Sequence, residues 1–124
     1  MEKQLQICSF EQVNRLKTVG FNWNVNHYYE YNIHSESFVL NEYIYGSPVP
    51  IGFKAPSIAL ALKWFRDKIN LIGYAAFNRT CIRWYYVIHE PFISSGDTCN
   101  TCEEVEIKLL DKLLDILEQK MIEI

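Results

Sequence analysis

Cysteine and histidine are the residues here whose chemistry depends most on spacing, and one spacing stands out: Cys99-Asn100-Thr101-Cys102. A thiolate at a helix N-terminus is stabilised by the helix dipole and its pKa falls, so the pair has the form of a redox or metal motif. A thioredoxin-like motif follows a buried strand in a βαβ unit. Here the polar stretch Ser94-Ser95-Gly96-Asp97-Thr98, read as a loop, precedes the pair. A tetrahedral zinc site needs two further ligands, and Cys8 and Cys81 are single cysteines far away in sequence. The reading is Cys102 at a helix start and Cys99 in a loop. Both are weak metal candidates, and neither a metal nor a cofactor is expected.

His27, His34 and His89 are the only histidines, and none belongs to a His-Glu-x-x-His pattern. His89-Glu90-Pro91 falls at a strand end, where the proline stops the ladder, and it reads as a solvated turn pair. No Gly-x-Ser-x-Gly elbow occurs. Gly46 and Gly52 precede Phe53-Lys54 with the wrong spacing for a phosphate loop and with two prolines inside. No catalytic set converges, so an enzyme ranks below two other readings.

Those readings start from surfaces. Lys63, Arg66 and Lys68, with Arg79 and Arg83, form a candidate basic patch, and Trp64, Tyr74 and Tyr85 could stack single-stranded bases beside it. Leu60 and Trp64 diverge from the apolar stripe Ile58, Leu62, Phe65 and Ile69 when successive residues are stepped by 100°. They are expected on a contact surface, since an exposed Trp beside Leu marks an interface.

The elements that must position these residues follow from punctuation and periodicity. Ser9 with Gln12 has the capping-box pattern. Phe10, Val13 and Leu16 form an apolar face, and Gly20-Phe21 suits a Schellman ending, which gives a helix over 9–19. Residues 27–32 and 37–45 are rich in strand formers, and the face with Tyr29 and Tyr31 is assigned to the core. Gly46 to Gly52 reads as a loop. Ala55-Pro56-Ser57 opens a second helix, with proline in its first turn. Two further strands, 71–77 and 82–89, make a hairpin, with Ile82, Trp84, Tyr86 and Ile88 facing the helices. Thr101 with Glu104 caps a last helix whose arc is Leu109, Leu110, Leu113, Leu114, Ile116, Leu117 and Met121.

The fold class is therefore α+β in the order α-β-β-α-β-β-α, an antiparallel sheet with helices packed on one face, as a single domain over 1–124. The net charge of −3 argues against a large nucleic-acid footprint. Charges interrupt every apolar run before about 20 residues, and Met1 to Gln6 lacks the order of a signal peptide, so a cytoplasmic, non-membrane protein is expected.

Three segments also carry a resemblance: Ala55-Pro56-Ser57 with Leu62-Lys63-Trp64-Phe65-Arg66-Asp67-Lys68, the strand Trp84-Tyr85-Tyr86-Val87, and Cys102-Glu103-Glu104-Val105-Glu106. Over roughly residues 53–121 the chain resembles a group of small uncharacterised proteins encoded in prophages and mobile elements of Bacteroides-like gut bacteria. In that group the position of Cys102 is usually aromatic, which speaks against a Cys-x-x-Cys function. The resemblance implies a phage or mobile-element origin and brings no activity. The leading expectation is a non-catalytic accessory or interaction protein that forms a homo-oligomer or binds a protein partner. The alternative is a nucleic-acid-binding adaptor.

Overall fold

The computed structural model describes residues 6–42, 53–89, 93–95 and 98–122. It is an α+β fold with antiparallel strands and helices packed against them, and its main elements follow the expected order. Contacts group the chain into two compact units, Met1–Ser57 and Ile58–Ile124.

In the first unit, α1 (Phe10–Thr18) begins and ends as its sequence dictates. The Gln12 N–H donates to Ser9 Oγ and the Ser9 N–H to Gln12 Oε1, so both halves of the capping box form. At the other end Gly20 has φ +99°. The Phe21 N–H reaches the Leu16 carbonyl and the Gly20 N–H the Lys17 carbonyl, which is the Schellman pair. Strands β1 (His27–Asn32), β2 (Ser37–Glu42) and β3 (Phe53–Ala55) form a sheet in the order β2-β1-β3. The register sets Tyr29 beside Leu40 and Phe53, and Tyr31 beside Phe38, so the two share one face, but that face is not the core it was assigned to: Tyr29 is half-buried and Tyr31 is 51% exposed. Phe10 of α1 seats on that face, stacked on Phe38 at 4.1 Å and edge-on to Tyr29 and Phe53. Such aromatic pairs each add about 0.5–1.5 kcal/mol beyond area burial. The Tyr29 hydroxyl donates to the Cys8 carbonyl at 2.8 Å. Burial, and secondarily Cys8, hold its phenol above the ordinary value.

Strand β3 corrects the expected helix start. Ala55 lies in a ladder with β1, Ser57 bridges Ile7, and the Pro56 carbonyl accepts from the Cys8 N–H. Proline has no N–H to give, but its carbonyl still pairs, so Pro56 stays extended and the helix begins at Ile58. The Gly46–Gly52 loop, and residues 43–45 of the expected second strand, lie outside the described residues.

The second unit has a conventional apolar core. Helix α2 (Ile58–Trp64) passes into a π-helical turn (Phe65–Ile69) that closes on Asn70 with φ +62°. Strands β4 (Ile72–Asn78), β5 (Arg83–His89) and β6 (Ile93–Ser95) follow in the order β4-β5-β6, and α3 (Cys102–Ile122) packs on β4, β5 and α2. Val105, Leu109, Leu110, Leu113, Leu114 and Leu117 of α3 are buried, which matches the expected arc except at Ile116, which is half-buried, and Met121, which is exposed. Gly73 admits this packing, since a Cβ there would lie 2.6 Å from Leu109 Cδ1. Ser94 and Ser95, expected in a loop, instead extend the sheet against Ile88 and Val87. No helix among the described residues is long and apolar enough to cross a membrane.

Candidate functional site

The second unit contains a groove of about 530 Å³ with three walls. Helix α2 and its π-turn supply Ala59, Leu62, Lys63 and Arg66, at offsets of zero, three, four and seven, the spacing of one helical face. Strand β4 supplies four consecutive residues, Ile72 to Ala75, and α3 supplies Cys102 and Glu106, one turn apart. Four consecutive strand residues along one wall mean that the groove runs along the strand's edge, because either face alone would present every second residue. β4 is an edge strand of its sheet.

The lining is mixed in charge. Arg66 Nε lies 3.3 Å from Asp67 Oδ1 in an exposed pair, and pairs of this kind contribute about 0–1 kcal/mol. The Cys102 thiol donates to Glu106 Oε1 at 3.8 Å. Cys102 is the first residue of α3, and Thr101 Oγ1 accepts from the Glu104 N–H ahead of it. Cys99 is buried and fixed in a bridge with Trp84, by paired backbone hydrogen bonds of 2.8 and 2.9 Å. All four cysteines are free thiols, and no three ligating side chains cluster among the described residues.

Leu60 and Trp64 need correction. Trp64 is only 3% exposed and packs edge-on to Phe65, while Leu60 is half-buried. Ile58, Ala61, Trp64 and Phe65 are the buried residues at this helix and its turn, so Ala61 rather than Leu62 carries the inner stripe. At about 100° per residue these four fall within one arc of about 120°, an ordinary apolar helix face centred nearer Ala61 than Leu62. Trp64 is thus removed from the expected exposed patch and from any stacking platform.

The basic and aromatic residues are partly brought together. Lys63, Arg66 and Tyr74 line the groove. By strand alternation Tyr74, Tyr85, Arg83 and His89 share the sheet face away from Gly73 and Ile88. Tyr74 Oη lies 3.1 Å from His89 Nε2, with the rings stacked. Arg79 sits in the distant turn after β4.

The first unit exposes a surface that the sequence reading did not single out. Phe38, Val39 and Leu40 of β2 are 37%, 38% and 38% exposed, with Tyr31 at 51% and Ile33 at 80% nearby. β2 ends the sheet order, so its outer edge has no strand partner among the described residues. Three apolar residues in succession, presenting apolar side chains to both faces of one strand, were the available signal. Beside them Glu30, Asn32, His34 and Asn41 line a shallow polar hollow. Comparison with known proteins finds no matching family model, curated protein or solved structure.

Proposed function

We propose that this chain is a non-catalytic interaction protein that self-associates, and that the contact runs through β2 rather than through Trp64. The observation that carries the reading is the exposed run Phe38-Val39-Leu40 on an edge strand. Edge strands usually carry charge, proline or a bulge to prevent pairing, and this run carries none of them. A β2–β2′ pairing about Val39 would set Phe38 opposite Leu40 of the second copy, two apolar cross-strand pairs of the kind that stabilise sheets. A phage or mobile-element origin is part of the proposal and rests on the resemblance alone. A cytoplasmic location is the compartment in which four free thiols persist.

Light scattering tests the reading. The wild-type chain is expected to show a multiple of 14.6 kDa, and Val39→Lys is expected to return it to the monomer while circular dichroism stays unchanged. A wild-type monomer throughout the micromolar range contradicts it. The nucleic-acid reading has one observation in its favour, the meeting of Lys63, Arg66 and Tyr74 at the groove. Single-stranded DNA binding that weakens steeply with salt would support it.

A further inference from the structure

We infer that the groove of the second unit is a strand-addition site: an extended peptide from a partner protein, carrying an acidic side chain, pairs with the free edge of β4 and lies against α2. This inference extends the interaction-protein reading to a second surface and does not depend on self-association through β2.

The backbone carries the first part. In an antiparallel pair, every second residue turns its N–H and C=O away from the neighbouring strand. β4 has β5 on one side and no strand on the other among the described residues. The groove lies along that other side, against Ile72 to Ala75. Outward-pointing N–H and C=O groups of β4 therefore lie along its wall, ready for another chain's backbone.

Size and shape agree. Ile72 to Ala75 span about 10 Å at strand rise, and Ala59 to Arg66 span about 10 Å at helical rise, so strand wall and helix wall match in length. A segment held between an edge strand and a helix takes its affinity from backbone pairing and its specificity from pockets for alternate side chains. Ala59, Leu62 and Ile72 give apolar contacts to one set of side chains.

Charge selects the occupant. Two cations, Lys63 and Arg66, stand on the α2 wall against the single carboxylate Glu106 on the α3 wall. Among the described residues Arg66 is held by an exposed pair with Asp67, which an incoming carboxylate can replace with a bidentate contact. A peptide with carboxylates toward α2 satisfies this arrangement, and one with ammonium groups there does not.

The test is an NMR titration of the ¹⁵N-labelled full chain with a blocked octapeptide of alternating valine and glutamate. Saturable shifts are expected at the amides of residues 72–75 and 59–66. The Lys63→Glu, Arg66→Glu double variant should raise the Kd at least tenfold, and an octapeptide of alternating valine and lysine should bind at least tenfold more weakly. The acidic octapeptide N-methylated at alternate residues, a control that needs no protein variant, should lose binding. The inference is overturned if the amides of 72–75 stay in place up to millimolar acidic peptide, or shift equally with the basic or N-methylated one. It is also overturned if an eight-nucleotide oligothymidylate shifts them and the peptide does not. Light scattering on the same samples separates the two readings, since failed self-association appears as a 14.6 kDa mass and leaves the titration result standing.

Discussion

The two hairpins close with the same turn and differ in what covers them. In the first, Asn32 Oδ1 accepts from the N–H groups of His34 and Ser35, and Glu36 takes φ +52° before β2 begins. In the second, Asn78 Oδ1 accepts from Thr80 and Cys81, and Ile82 takes φ +53° before β5. Local chemistry is shared, yet β5 contains the fully buried Ile88 beneath α3, whereas β1 and β2 contain no buried residue. A turn sets register, while a long leucine helix sets burial. Where the burial is missing, apolar strand surface remains for another molecule.

The comparison is broken most sharply by removing the cover from the second hairpin. Leu113 is fully buried on α3, and Leu113→Ala is expected to cost roughly 2–5 kcal/mol through lost transfer energy and the cavity left behind. Chemical denaturation reads this directly, and a midpoint near wild type would mean that α3 contributes little to the core. A smaller effect is expected at the contact that lets α3 approach the strand. Gly73→Ala pushes a methyl into buried Leu109, an overpacking of about 1–3 kcal/mol. The Gly73→Ala, Leu109→Ala double variant should lose less than the sum of the two single changes. Strict additivity would place the strain elsewhere.

The smallest expected effect has the opposite sign and compares the turns themselves. Ile82 is β-branched, 75% exposed and left-handed, a conformation that costs an L-residue about 1–2 kcal/mol and that asparagine tolerates better. Ile82→Asn should therefore raise stability by up to about 1 kcal/mol. The same change at Glu36, already polar, should do less. Equal gains at both turns would show that side-chain branching is not the cause.

Legibility followed the same division between local and distant causes. Ser9, Gln12, Gly20 and Phe21 lie within one short segment and interact with near neighbours, so α1 was readable to both caps. Thr101 and the leucines of α3 were readable for the same reason. Strand β3 was not, because Phe53–Ala55 becomes a strand only by pairing with β1, more than twenty residues away. Ser94 and Ser95 have the composition of a loop and join the sheet only because β5 is beside them. Ile82 continued an alternating apolar pattern, and only the turn geometry takes it out of the core face. Trp64 was misplaced because the stripe was centred on Leu62, whereas the buried face runs through Ala61, a residue too small to stand out in an apolar pattern. The groove is further still from the sequence, since its walls come from residues 59 to 106 and no spacing joins them.

The claim that the first unit's uncovered strand is a contact between copies is tested most directly by amide hydrogen exchange across a dilution series. Pairing of β2 with a second copy predicts that the alternate amides within residues 37–42 that point away from β1 lose protection as the protein is diluted through its dissociation range. Residues 87–89, held between β4 and β6 within one chain, should keep theirs. If the measured mass falls on dilution while protection at 37–42 stays constant, the copies meet somewhere else and the account of β2 is wrong.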